Sequence, residues 1–170
     1  MSLILSVCVG VLTYGIEFDY DEHGSDWHHH FNECGNDRQS PINIDTSLID
    51  CIYPLELTKE SLKINDDKKR TFDIINNGHT IDIHDGSNNV FGPVSELTDI
   101  NGQKYIFGGM HFHWGSVKKQ GSEHTFDHVS APIEAHLVHY YDKASSVAGA
   151  VADYQANNNL TTLAVVGVLF

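Results

Sequence analysis

Short segments rich in β-branched and aromatic residues restrict the possible folds of this chain more than any other feature. Glycine and asparagine clusters separate several of them, as is typical of strands joined by turns. Residues 145–155 alone favour a short helix. The pattern predicts a mainly β protein built on one large sheet. Its clearest predicted strands are residues 71–76, residues 80–84, Lys104–Trp114 and Ile133–Tyr141.

Residues 163–170 (LAVVGVLF) form the most continuous apolar run in the second half of the chain. Such a run predicts a central strand that is buried on both faces. A buried strand needs covering partners, and none follows this one. We therefore expect the intact protein to continue beyond Phe170.

A second apolar run, residues 3–12 (LILSVCVGVL), lies next to the N-terminus. About ten apolar residues are too few to span a bilayer but suit the apolar part of a signal peptide. We predict a signal peptide over residues 1–15, a secreted protein, and a partial domain over residues 16–170. The alternative for the first segment is a buried N-terminal strand. The sequon Asn159-Leu160-Thr161 agrees with a secreted glycoprotein.

The formal net charge of the chain is −13. This acidity argues against a nucleic-acid partner, and no basic patch is present for an anionic membrane surface. A dedicated calcium site has little support because no EF-hand loop occurs. Two interpretations remain: a highly soluble secreted protein, or one that attracts cations weakly.

Three histidines on two predicted strands give the strongest indication of chemistry. His111 and His113 are two residues apart, so in a strand they project to the same face. On the other strand His136 shares a face with Glu134. If the strands are neighbours, three imidazoles converge and leave a fourth tetrahedral position open, as in catalytic zinc sites. Glu134 would then accept the N–H of His136.

Other histidines have a weaker claim on a metal. His139 points away from the face of His136 in a strand. Spacing alone likewise gives no claim to His84, His124 or His128. The prediction of a metal site therefore rests on three histidines and one glutamate.

Five motifs resemble those of the α-type carbonic anhydrases in order and approximate spacing. They are RQSPI from residue 38, NNGHT from 76, HFHWG from 111, GSEHT from 121 and EAHLVH from 134. The similarity covers roughly residues 20–170. It implies the fold of that family, a large central twisted mixed β-sheet with short peripheral helices, with the C-terminal part missing from this chain.

The resemblance also implies a function and a set of roles. The reaction is the zinc-dependent, reversible hydration of carbon dioxide to bicarbonate and a proton, through a zinc-bound hydroxide. The family's zinc ligands match His111, His113 and His136, and its supporting carboxylate matches Glu134. Its remaining site positions match His79 as proton shuttle, Glu123 as the residue that orients a threonine located beyond Phe170, Tyr20 in the water network, and Val138 and Val165 in the carbon dioxide pocket.

Two further positions bear on this resemblance. Cys34 matches the first half of the disulfide of extracellular members, which implies a partner beyond Phe170. Gly109 stands where the family has a glutamine that accepts the N–H of the first ligand. Loss of such a partner commonly lowers metal affinity or activity ~10–100-fold, so we expect weakened zinc binding. Together with the acidity, Gly109 keeps an alternative open: a non-catalytic, acidic, secreted carbonic-anhydrase-like binding or matrix protein.

Overall fold

The computed structural model describes residues 3–4, 27–29, 32–35, 40–48, 61–65, 69–86, 92–99, 101–116, 121–157 and 161–170. Strands are the main element of these ranges, and their one α-helix is α1 (Val147–Asn157). Three short 3-10 turns lie at Trp27–His29, Asn32–Gly35 and Thr46–Leu48. The strands are β1 (Leu3–Ile4), β2 (Asn43–Ile44), β3 (Leu62–Ile64), β4 (Phe72–Asn76), β5 (Ile81–Asp85), β6 (Ser95–Thr98), β7 (Lys104–Trp114), β8 (Thr125–Phe126), β9 (Val129–Ser130), β10 (Ile133–Tyr141) and β11 (Leu163–Leu169).

This architecture confirms the prediction of a mainly β protein with one large sheet. Four predicted strands correspond to β4, β5, β7 and β10, and the apolar run near the end of the chain forms β11. The predicted short helix corresponds to α1. In β11 the residues Leu163, Ala164 and Val166 are buried and the others are partly buried, so burial on both faces is incomplete.

Eight strands form the large sheet, in the order β1-β11-β10-β7-β5-β4, with β6 beside β7 and β3 beside β6. All strand pairs of this sheet within the described ranges are antiparallel, whereas the predicted sheet was mixed. One parallel pair, β2 with β8, belongs to a separate three-stranded sheet with β9. The two longest strands, β7 and β10, lie side by side at the centre of the large sheet.

The core of the molecule consists of two groups of buried side chains. One includes Leu97, Tyr105 and Val166. The other includes Tyr140 and Ala150, where α1 packs against β10 and β11. At the start of α1 the hydroxyl of Ser146 accepts a hydrogen bond from the backbone N–H of Gly149 at 3.1 Å. Such a cap satisfies one of the backbone donors that a helix leaves unpaired. α1 thus packs against the two strands β10 and β11 near the centre of the sheet.

Several predictions concern the ends of the chain or residues outside the described ranges. Tyr20, Asn159, Cys8 and Cys51 all lie outside them. Leu3–Ile4 pairs with β11, as the alternative of an N-terminal strand would have it, and the signal peptide stays a prediction. Within the described ranges, no helix has the length and apolar character to cross a membrane.

The expected disulfide partner of Cys34 needs correction. Cys34 is disulfide-bonded in this structure of residues 1–170, so its partner here is not a cysteine beyond Phe170. The resemblance on which that expectation rested gave no information about the other cysteines of this chain.

Candidate metal centre

Strand register brings the predicted histidines together at the centre of the large sheet. His136 on β10 lies directly opposite His111 on β7, and Glu134 lies opposite His113. Because alternate residues of a strand share a face, all four side chains project from the same side. One ring nitrogen from each of His111, His113 and His136 lies within 4.8 Å of the others. The convergence expected from the sequence is therefore present.

Glu134 determines which nitrogen of His136 faces the other rings. Oε1 of Glu134 lies 2.8 Å from Nε2 of His136. An ionised carboxylate only accepts hydrogen bonds, so Nε2 carries the proton and donates it. The lone pair of the neutral ring is then on Nδ1, which lies 3.2 Å from Nε2 of His113. The free lone pair of His136 thus points into the cluster.

A second, overlapping group of possible ligands is formed by His124, Glu134 and His136. Its atoms are already joined by hydrogen bonds, since Nδ1 of His124 lies 2.6 Å from the same Oε1 of Glu134. The two ring nitrogens that face the carboxylate both donate to one of its oxygens, so neither has a lone pair for a metal ion at this position. His111, His113 and His136 are therefore the better candidate ligands.

The two histidines of β7 are neutral at physiological pH. Burial, followed by the proximity of His136, lowers the pKa of His111 to about 4. Burial, followed by His136 and then His111, lowers the pKa of His113 to about 3. Metal ions bind imidazole in its neutral form, because the lone pair is then available. His111 and His113 are therefore in the protonation state that a metal requires.

Glu134 is held as a carboxylate although its side chain is fully buried. Burial acts to raise its pKa, but hydrogen bonds from the side chains of His124 and His136 and from the backbone N–H of His124 outweigh it and lower the pKa. Gly167 on β11 makes room for this carboxylate, because a Cβ there would lie 3.0 Å from Oε1. These hydrogen bonds compensate the cost of burying the charge of Glu134.

His124 and Ser40 extend this hydrogen-bonded chain. Since Nδ1 of His124 donates to Glu134, the ring accepts through Nε2, which lies 2.8 Å from the hydroxyl of Ser40. The order is therefore Ser40, His124, Glu134, His136, ending at the cluster. The spacing argument missed His124 and Ser40. The GSEHT motif contained His124, but no local pattern indicated its contact with Glu134.

Glu123 lies beside His113, with Oε1 at 3.2 Å from Nδ1. Burial, followed by the charge of Glu134, raises the pKa of Glu123 to about 8. These pKa values make Glu123 protonated and His113 neutral near pH 7, so the contact joins two uncharged groups. The loop is fixed because Gly121 and Ser122 both donate to the carbonyl of Ala131. The predicted role of Glu123, orientation of a threonine, stays a prediction.

Gly109 lies two residues before His111 on β7, where the sequence lacks an acceptor side chain. The ring of His84 on β5 fills the adjacent space: a Cβ on Gly109 would lie 2.9 Å from Nδ1 of His84. Nδ1 of His84 is also 3.3 Å from the carbonyl of Gly108, to which it donates. The ring of His84 on β5 therefore occupies the space that a side chain at position 109 of β7 would need.

His79 lies in the exposed turn between β4 and β5. Thr80 fixes this turn against β7, since its hydroxyl donates to the carbonyl of Phe112 at 2.6 Å and accepts from the N–H of Phe112 at 3.1 Å. His79 thus lies in a turn anchored beside the end of β7 that carries His113, and a role in proton transfer stays a prediction.

Val138 and Val165 are direct neighbours across β10 and β11. Val138 lies two residues from His136 on the same strand, so both project to the same face. Across from His136, β11 has Gly167 instead of a side chain. The two valines therefore provide apolar surface next to the histidine cluster.

One pair of nitrogen atoms in the cluster has the spacing that a zinc ion requires. Two imidazole nitrogens bound at about 2.0–2.1 Å to one tetrahedral ion lie about 3.3 Å apart. Nε2 of His113 and Nδ1 of His136 are 3.2 Å apart, with the lone pair of His136 directed at His113. Three neutral nitrogen donors also suit zinc better than calcium or magnesium, which prefer oxygen.

Comparison with known proteins agrees with this geometry. A family profile described as eukaryotic-type carbonic anhydrase matches residues 22–170. Human carbonic anhydrase 6 is 36% identical over 122 residues, which cover 71% of this chain and 37% of that protein. Human carbonic anhydrase 7 is 35% identical over 162 residues, 91% of this chain and 54% of that protein. This chain thus spans between a third and somewhat over half of these relatives. It belongs to the eukaryotic-type carbonic anhydrase family.

Proposed function

We propose that this protein is a zinc enzyme that reversibly hydrates carbon dioxide to bicarbonate and a proton. The observation that carries the proposal is the cluster of His111, His113 and His136, with three ring nitrogens within 4.8 Å of one another. Three histidines leave a fourth tetrahedral position for substrate, as catalytic rather than structural zinc sites do. Family membership supports the same reaction.

The residues of the site have different roles in the proposed reaction. His111, His113 and His136 would hold zinc, which supplies activation of water as a nucleophile at neutral pH when it is bound. Glu134 fixes His136 through the hydrogen bond at Nε2, so that Nδ1 remains the donor atom. Val138 and Val165 offer an apolar surface against which carbon dioxide can lie.

The proton released in each turnover must reach the solvent. His79 suits this step because it is exposed and because histidine is the side chain that most commonly relays protons in enzymes. Its turn is anchored to the β7 end of the site through Thr80 and Phe112. A proton would pass from the site to His79 through water and then to buffer.

A secreted location is part of the proposal and rests on the apolar segment of residues 3–12. The competing function is a non-catalytic, acidic binding protein. Gly109 favours it, because the chain offers no acceptor there for the N–H of His111, and so does the net charge of −13. The intact ligand set favours the enzyme.

Zinc content and carbon dioxide hydration of the purified protein test the proposal. We expect about one zinc ion per chain, and hydration that disappears with a chelator and returns with zinc. His79→Ala should keep zinc but slow hydration in dilute buffer by up to about 100-fold, and added imidazole should restore the rate. A protein that takes up no zinc and lacks activity would refute the enzyme and leave the binding protein.

A further inference from the structure

The ring of His111 is less well supported than those of the other two candidate ligands. His136 donates to Glu134, and His113 is in contact with Glu123. Within the described ranges, neither ring nitrogen of His111 has a hydrogen-bond partner. Its own strand offers none two residues earlier, since Gly109 has no side chain. Support for His111 must therefore come from a neighbouring strand.

β5 places a carboxylate directly across from His111. The register pairs Asp82 with His111 and Ile83 with Met110. Residues directly opposite in an antiparallel pair have Cβ atoms about 4.5–5.5 Å apart and share a face of the sheet. The side chains of Asp82 and His111 are therefore direct neighbours on one face of the sheet.

The orientation of Asp82 is fixed from the opposite side. Its Oδ2 accepts a hydrogen bond from Nδ2 of Asn77 at 2.8 Å. Asn77 also accepts, through Oδ1, from the backbone N–H groups of His79 and Thr80, both at 2.9 Å. One carboxylate oxygen of Asp82 is thus tied to the turn, which leaves the other oxygen outside this hydrogen bond.

A side chain on β7 itself could not support His111 in this structure, because His84 occupies the space beside Gly109. A side chain at position 109 would meet the ring of His84, whose Nδ1 lies 2.9 Å from the Cβ position. An acceptor at 109 would therefore require His84 to move. Asp82 requires no such change, because it already lies beside His111.

We propose that Asp82 is a positioning residue for His111: when the ring holds zinc, the carboxylate opposite it on β5 accepts the hydrogen bond and provides the negative charge that Gly109 cannot provide from β7. The inference rests on the proposed function, since it assigns to Asp82 a role in holding a zinc ligand. A carboxylate behind a metal-bound imidazole raises the basicity of the ring and fixes its orientation. This chain would then support the ligand from a different strand.

Zinc affinity of the 170-residue chain, measured by competition with a chelator, tests this role. Asp82→Ala should weaken zinc binding about 10-fold or more, and Asp82→Asn should weaken it less because an acceptor oxygen remains. Asp73→Ala is the matched control: it removes the same charge from the same face of the neighbouring strand β4, opposite His84. It should change the affinity less than about 2-fold.

The visible spectrum of the cobalt-loaded chain and a rescue variant separate positioning from a loss of fold. The cobalt spectrum should change in Asp82→Ala and not in Asp73→Ala. Adding Gly109→Gln with His84→Ala, which removes the obstructing ring, should restore most of the affinity that Asp82→Ala loses. His84→Ala alone serves as the reference for that variant.

The possible outcomes distinguish the inference from the function on which it rests. If the unmodified chain binds zinc and Asp82→Ala binds it equally well with an unchanged cobalt spectrum, the role of Asp82 is refuted while the zinc site stands. If Asp82→Ala is weakened but the glutamine variant restores nothing, Asp82 acts on stability rather than on His111, and the inference is again wrong. If the unmodified chain binds no zinc, both fail.

Discussion

β10 carries one histidine on each face, and the two are satisfied in opposite ways. His136 donates to the carboxylate of Glu134 and directs its other nitrogen toward the histidine cluster. His139 is fully buried; it donates from Nδ1 to the carbonyl of Leu137 at 3.0 Å and accepts at Nε2 from Ser95, 2.8 Å away. Nδ1 of His136 thus faces another candidate ligand, whereas both nitrogens of His139 are bonded to groups of the core.

The partners explain why only one of the two rings suits a metal. A carboxylate stabilises positive charge that a metal or a proton brings to an imidazole. A hydroxyl and a backbone carbonyl do not compensate charge, and burial lowers the pKa of His139 despite the opposing effect of its hydrogen bonds to backbone carbonyls. The difference between a ligand and a core histidine therefore lies in the group behind the ring.

The largest expected effect is on zinc affinity, when the imidazole of His136 or that of His139 is removed in separate variants. His136→Ala should lower zinc affinity by more than about 100-fold, since loss of a ligand exceeds the loss of a group that supports one. His139→Gln, on the other face of the same strand, should leave zinc affinity within about 2-fold, because its contacts are all on the core side. Competition with a chelator measures both. Equal losses in the two variants would mean that β10 does not separate a metal face from a core face.

A smaller effect is expected when the group behind the ring is changed. Glu134→Gln keeps the size of the side chain but removes its charge, so His136 and His124 lose their shared ionised acceptor. We expect zinc affinity to fall about 10–100-fold. Glu96→Gln on β6, an exposed position, is the matched control and should have no effect. An unchanged affinity in Glu134→Gln would show that the carboxylate does not distinguish His136 from His139.

The same comparison shows what could be predicted from the sequence. Alternation along a strand was enough to place His136 and Glu134 on one face and His139 on the other, and five long apolar or aromatic segments gave β4, β5, β7, β10 and β11. β3 and β6 were not predicted because they are only three and four residues long, too short to show a periodic pattern. Their assignment depends on pairing with each other and with β7.

Contacts between distant segments could not be predicted in the same way. Ser40 and His124 are 84 residues apart, and nothing local indicates that they meet. The position of Asp82 opposite His111 depends on the register of β5 against β7, where a shift of one residue would place the carboxylate on the other face. Spacing within a strand therefore gave the three candidate ligands and Glu134, whereas the contacts of Ser40, His124 and Asp82 required the three-dimensional structure.

The smallest expected effect is the contribution of His139, the core histidine, to the pH dependence of stability. The pKa of His139 is lowered in the folded state, whereas in the unfolded chain it returns to about 6.5. Between these two values the unfolded state binds more protons, so stability is complete above about pH 6.5 and is lost as the pH falls below it.

Urea unfolding of the metal-free protein between about pH 5 and pH 8 measures this contribution. One proton bound more by the unfolded state changes stability by at most about 1.4 kcal/mol per pH unit. Lowered pKa values at His111 and His113 act in the same direction, but they are present in both proteins and cancel in the comparison. His139→Gln should therefore lose less stability toward pH 5 than the unmodified chain. Identical pH profiles would show that the hydroxyl of Ser95 and the carbonyl of Leu137 hold His139 without suppressing its protonation, and the contrast with His136 would then lie in exposure alone.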